Sequence, residues 1–234
     1  KKTEKKLNES FTHVVNLSGY VNHKLFRGRV DEIIKTHFLG LVNLLKIFKE
    51  RKIVKFIQIG SSAEYGNTKA PQKENKDGKP NSSYGMAKLA STKLLLRLNN
   101  NNNFPVVVLR FFQVYGPRQD TNRVLPQIIT ACLKNKSIPA SKGNQIRDFC
   151  YVDDVVNAIF LTLTLKKIKG EIFNIGSGQP KKIKEILNMI KNIIGKGNIK
   201  FGKMKYRKDE NMKLYPDIRK AKKKLKWRPK FNFY

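Results

Sequence analysis

A doubly wound α/β fold around a parallel sheet is predicted by two features of the 234-residue sequence. Short, near-continuous apolar strands alternate with helical stretches, and the first two strands run out into Ser/Gly exits where a crossover would begin. Residues 11–17 (FTHVVNL) read as a buried strand ending at Ser18-Gly19. From about residue 26 to 49 the apolar side chains Ile33, Ile34, Phe38, Leu41, Leu44, Leu45 and Phe48 recur at three- and four-residue steps, the pattern of one long helix with a core-facing stripe. Residues 53–59 (IVKFIQI) form the next strand, which stops at Gly60-Ser61-Ser62 before a polar loop. A second helix starts near Ser82 and is expected to dissolve into a solvated turn at the asparagine run 99–103. The third strand is 106–111. Beyond Gly116-Pro117 follow a helix near 124–134, an extended stretch into 149–151, a helix at 153–165 and a strand at 172–175. A helix at 181–194, a short strand near 199–201 and a basic helix from 217 to about 225 complete the order.

Composition narrows the class of protein. Forty percent apolar and 10% aromatic residues are ordinary for a globular domain, and no run approaches the ~18 apolar residues of a membrane span. Cys132 and Cys150 cannot make a disulfide framework, and the three histidines lack metal-site spacing, so neither a metal nor an oxidising compartment is expected. The formal charge of +32 would by itself point to nucleic acid. Yet 38 of the 49 basic residues are lysines spread along the whole chain without any nucleic-acid-binding motif, so they read as solvated faces and nucleic acid is not among the expected partners.

Chemistry concentrates at Tyr84-Gly-Met-Ala-Lys88, which puts a phenol and an ammonium on one helix face. A cation held near a phenol favours the phenolate and makes it a usable proton acceptor. The preceding strand ends in Ser61-Ser62, whose hydroxyls can reach the same substrate oxygen from the strand's carboxyl end.

From these residues onward the chain resembles the extended short-chain dehydrogenase/reductase family, in particular its NAD-dependent epimerases and dehydratases acting on nucleotide sugars. The matching segments are FIQIGSSAEYG (56–66), SSYGMAKLAST (82–92), VLRFFQVYGPR (108–118), RDFCYVDDVVNAI (147–159), FNIGSG (173–178) and PDIRKAKKKLKWRPKF (216–231). The resemblance implies that Tyr84 is the acid/base for a sugar hydroxyl, that Lys88 binds the nicotinamide ribose and lowers the tyrosine pKa, and that Ser61 holds the reacting oxygen. A one-residue slip would hand that last role to Ser62. Leu17 and Ser18 join Tyr84 and Lys88 as implied contacts of NAD or NADP. Gln113 is implied to touch the sugar or diphosphate, and Arg147 and Arg207 to clamp the diphosphate, a task suited to a planar guanidinium. The structural alternative for Arg147 is an ion pair with Asp148 or Asp153. Asp153 and Asp154 read as the start of a helix, and His37 as a helix histidine where relatives commonly carry an asparagine.

Residues 1–115, with 150–176 returning to them, are implied to form an NAD(P)-binding Rossmann-like domain, and 116–149 with 177–234 a smaller nucleotide-sugar lobe. One part of the pattern has no counterpart. A glycine-rich turn that cradles the pyrophosphate normally precedes such a site, whereas the glycines before residue 60 are Gly19, Gly28 and Gly40. The expectation is therefore a chain that lacks roughly the first 60 residues of a full enzyme and stops early at its C-terminus. The implied activity is an NAD(P)-dependent nucleotide-sugar 4-epimerase working through a 4-keto intermediate. The rivals are a 4-keto-6-deoxy-sugar reductase and a truncated, non-catalytic remnant. A dehydratase would need a carboxyl group just after the catalytic serine, where Ser62 and Ala63 stand; Glu64 would reach that position only in the slipped register. The cytoplasm is the expected location, and a homodimer is one possible assembly, the oligomeric state being left open.

Overall fold

In the computed structural model, residues 11–19, 30–48, 51–207 and 210–233 are described. The main sheet is parallel and ordered β1 (His13–Asn16), β2 (Lys55–Ser61), β3 (Val106–Phe111) and β8 (Glu171–Ile175). Between β3 and β8 lie β4 (Gln113–Tyr115), α4 (Val124–Leu133), β5 (Ser137–Pro139), β6 (Ile146–Arg147), β7 (Phe149–Tyr151) and α5 (Val152–Thr164). After β8 come β9 (Lys181–Lys182), α6 (Ile183–Ile194), β10 (Asn198–Lys200) and β11 (Lys213–Leu214). The shorter strands make small sheets of their own: β4 with β7, β5 with β10, and β6 between β9 and β11.

Side-chain alternation along the central strands explains why both faces of the main sheet are covered. Ile57, Val107, Leu109, Phe173 and Ile175 point to a core shared with Val155 and Ala158 of α5 and with Trp227. Their neighbours Phe56, Val106 and Val108 point the other way, against Leu41, Phe48 and Leu95. Each fully buried side chain of this kind contributes about 1.5–3 kcal/mol relative to exposure. A separate core joins Leu125, Ile128 and Cys132 of α4 to Ile186, Leu187 and Ile190 of α6, with Phe149 and Ile199. Cys132 and Cys150 are both buried free thiols.

Buried polar groups pin the elements together. Lys55 of β2, only 4% exposed, sends its ammonium to the carbonyls of Thr162 at 2.7 Å, Leu163 at 3.2 Å and Leu165, so it caps the C-terminal end of α5. Asp154 sits in the first turn of α5, and it also accepts the backbone N–H groups of Lys230 and Phe231 at 2.8 and 3.1 Å. The Trp227 indole donates to the Asp154 carbonyl at 2.9 Å. The carboxyl-terminal segment is thereby strapped to the helix that follows β7.

Three elements differ from expectation. The long helix is α1 (Val30–Ile34), a π-helical turn (Lys35–Leu39) closed by the Gly40 N–H on the Lys35 carbonyl, and α2 (Gly40–Phe48). Residues 26–29 and 49, also expected in it, lie outside the described residues. Helix α3 (Ser83–Asn102) runs through the asparagines instead of ending before them. Asn103 supplies the stop, because asparagine tolerates the left-handed φ of 54° at the cap, and the Asn99 amide bonds the Phe104 carbonyl at 2.7 Å beyond it. The basic helix begins at Arg219 rather than at Asp217, whose carboxylate accepts the Arg219 N–H at 3.0 Å.

Candidate active site

Strand β2 delivers Ser61 at its carboxyl end, paired with Phe111 of β3. There the chain turns through one 3-10 turn (Ser62–Glu64). Ser61 caps this turn: its hydroxyl oxygen accepts the Ala63 N–H at 3.2 Å, and its own N–H donates to the Glu64 carboxylate at 2.8 Å. Helix α3 starts opposite, capped by the Ser82 hydroxyl on the Gly85 N–H at 3.2 Å. The two pieces touch at a glycine, since a Cβ on Gly85 would lie 2.4 Å from the Ala63 carbonyl oxygen. Only glycine lets the helix close this far, and the closure brings the Tyr84 phenol into a hydrogen bond with the Ser61 hydroxyl.

The sequence-predicted Ser61, Tyr84 and Lys88 are therefore together. Ser62 is buried within the turn. Lys88, 6% exposed, holds the Ile59 carbonyl at 3.0 Å, and its ammonium lies 6.0 Å from the Tyr84 ring centroid. Burial pushes the Tyr84 phenol up, the hydrogen bond from Ser61 and the charge of Arg123 pull it down, and Glu64 adds to the rise. Lys88 is itself pushed down by burial. Its ammonium is anchored to the strand through the Ile59 carbonyl. His37, on the π-helical turn, packs edge-on against the Tyr84 ring with centroids 4.9 Å apart.

Glu64 does not offer a free carboxyl to a substrate. It is fully buried and accepts from the Ser61 N–H, the Thr92 hydroxyl and the Arg110 Nε, each at 2.8 Å. The position that a slipped register would assign to chemistry is thus an inward structural anchor.

Arg147 lies on β6 and is ion-paired with Glu210, while its Nη1 donates to the Ile146 carbonyl at 2.8 Å. Neither Asp148 nor Asp153 is its partner: Asp148 is fully buried and accepts the N–H groups of Ser177 at 2.5 Å and Gln179 at 3.1 Å. Arg207 is exposed, and its charge acts on both Arg147 and Arg123. Burial is the main reason that Arg147 and Arg123 are pulled below the usual arginine range, and Arg207 adds to it. Arg207 thus acts on both Arg147 and Arg123, and Arg123 in turn acts on Tyr84. Sequence reasoning missed Arg123, which precedes the first turn of α4 without any motif, and Glu210. Gln113 opens β4, half-buried, with its N–H on the Asp148 carbonyl at 3.1 Å. Leu17 and Ser18 leave β1 beside Gly19, Thr36, Gly40 and Leu44 and line an open cleft of ≈ 660 Å³.

A hydroxyl at the end of a parallel strand, hydrogen-bonded to the tyrosine of a Tyr-x-x-x-Lys helix, is the arrangement of the short-chain dehydrogenase/reductase class. Within that class the chain belongs to the NAD dependent epimerase/dehydratase family, whose profile matches residues 1–176. An uncharacterized UDP-glucose epimerase of Bacillus subtilis is 32% identical over 192 residues, 81% of this chain and 60% of that protein. A UDP-glucuronate 4-epimerase of Thermodesulfobacterium geofontis is 29% identical over 202 residues, 85% of this chain and 62% of that one. Among solved structures, the UDP-glucuronic acid 4-epimerase from Bacillus cereus, in complex with UDP-glucuronic acid and NAD, superposes with a TM-score of 0.92 at 30% identity. That match covers 100% of this chain and 74% of the other. The chain thus spans about 60% of the length of these two relatives. Among the described residues no helix is long and apolar enough to cross a membrane, and no cluster of His, Cys, Asp or Glu could hold a metal.

Proposed function

We propose that the protein is an NAD(P)-dependent nucleotide-sugar 4-epimerase acting through a 4-keto intermediate. The observation that carries this reading is the Ser61–Tyr84 hydrogen bond beside the buried Lys88 ammonium. The similarity to UDP-sugar 4-epimerases supports the substrate class.

The residues present fit the nicotinamide-ribose half of the cofactor. Lys88 makes one hydrogen bond and keeps two N–H donors for ribose hydroxyls, and Leu17 and Ser18 line an open cleft. The pyrophosphate half finds no glycine-rich turn among the 234 residues. When bound, the dinucleotide supplies the reversible hydride acceptor at sugar C4.

The chain's own residues do the rest. Ser61 holds the 4-hydroxyl oxygen against Tyr84, whose phenolate takes the hydroxyl proton as C4 becomes a carbonyl. The ketone then presents its other face, and Tyr84 returns the proton to O4 as the C–H bond re-forms with inverted configuration. Arg147 and Arg207, joined by Arg123, hold the diphosphate through this turn, and the lobe built on the α4–α6 core carries the sugar nucleotide. Water elimination is disfavoured because Ser62 and Ala63 carry no carboxyl group and Glu64 is occupied. Incubation with UDP-hexoses and UDP-hexuronic acids, with products resolved by NMR, tests the reading: it requires the C4 epimer, and net consumption of NADPH would favour a reductase instead.

A further inference from the structure

We propose that Glu64 is the positioning residue of this site, the single carboxylate that fixes the serine turn to the helix bearing Tyr84. The inference rests on the acid/base reading of Tyr84 and Ser61 given above.

Three donors meet at this carboxylate. Its Oε1 takes the Ser61 N–H at 2.8 Å, and its Oε2 takes the Thr92 hydroxyl on α3 and the Arg110 Nε on β3, both at 2.8 Å. Thr92 lies two helical turns after Tyr84 on the same helix, so one rigid element carries both. The carboxylate is fully buried, as is the Arg110 side chain at 3% exposure, and the Arg110 guanidinium stacks 4.5 Å from the Tyr65 ring centroid. The backbone is shaped around the group, because a Cβ on Gly60 would lie 2.5 Å from Glu64 Oε1. A charge-assisted network of this kind holds its members in one geometry.

Its position also gives it an electrostatic role. The charged or titratable groups facing Tyr84 are Lys88 on its own helix, His37 from the π-helical turn, Glu64 from the serine turn and Arg123 from α4. Of these Glu64 carries the negative charge that raises both the Tyr84 phenol and the Lys88 ammonium. Its removal therefore moves phenolate formation to lower pH.

The test compares Glu64→Gln, Thr92→Val and Thr92→Ser with the parent protein, using Tyr84→Phe as the control for the underlying reading. Thr92→Val deletes only the helix-side bond and leaves the buried Glu64–Arg110 pair intact, so it remains informative even where Glu64→Gln fails to fold. The expected result is a fall in kcat for Thr92→Val at unchanged KM, by up to about 100-fold, the loss that a misplacement of about 1 Å can cause. Thr92→Ser should restore it, and folded Glu64→Gln should shift the acidic limb of the kcat profile to lower pH. Thermal destabilisation alone, with kcat and the acidic limb unmoved in Thr92→Val and Glu64→Gln, would reduce Glu64 to a core ion pair and overturn the proposal. An active Tyr84→Phe would instead sink the acid/base reading itself.

Discussion

Gly85 and the Ala63 carbonyl oxygen meet so closely that a single added methyl group would stand 2.4 Å from the oxygen. This contact sets how near helix α3 comes to the serine turn, and so how near Tyr84 comes to Ser61. Gly85→Ala is expected to push the helix away, lowering stability by about 1–3 kcal/mol as overpacking does and lowering kcat beyond what the stability loss explains. Thermal denaturation and steady-state kinetics on the same preparation separate the two effects.

Tyr84→Phe leaves the ring and its contact with His37 but removes the proton acceptor. A loss of roughly 100- to 10,000-fold in kcat is expected, the usual worth of general acid/base catalysis. Among the serines, Ser61→Ala should cost more kcat than Ser62→Ala, since Ser61 is the one bonded to the phenol.

Arg147→Gln addresses substrate binding rather than chemistry. Loss of a charged hydrogen-bond donor worth about 1.5–3 kcal/mol should raise KM for the nucleotide sugar roughly 10- to 100-fold while kcat changes little. A kcat loss at constant KM would move Arg147 out of the diphosphate clamp.

Glu171 gives a prediction for pH. Burial alone would raise its carboxyl pKa, but hydrogen bonds and charges from Lys220 and Lys224 hold it below the ordinary carboxylate value of 4.5. A depressed folded-state pKa stabilises the protein above the unfolded value, and the stabilisation is lost as pH falls through the folded one. The parent should therefore exceed Glu171→Gln by about 0.2–1 kcal/mol for each partly exposed pair at neutral pH, with the gap closing toward acid. Denaturant melts at several pH values measure it.

Much of this site was legible because local patterns carried it. Apolar runs gave the strands of the sheet, and the four-residue spacing of Tyr84 and Lys88 put both on one helix face. The role of Glu64 was not, because its three partners come from the strand end, the distant turn of α3 and β3, and nothing in the spacing of SSAEYG shows that the carboxylate turns inward. Arg123 was hidden for a similar reason: the tertiary approach of α4 to Tyr84 leaves no periodic trace. The asparagine run misled in the opposite direction, since low complexity reads as a turn while the packed face of α3, ending in Leu95, carries the helix on to Asn102.

In the proposed reaction Tyr84 and Ser61 move a proton at the sugar 4-hydroxyl while the C4 hydrogen is kept within the site. The most direct measurement incubates the protein with NAD and a UDP-sugar in deuterated water and analyses the product by NMR and mass spectrometry. A C4 epimer of unchanged mass with no deuterium at C4 is expected, formed by the parent and lost in Tyr84→Phe. A product lighter by one water, or one carrying solvent deuterium at C4, would contradict it.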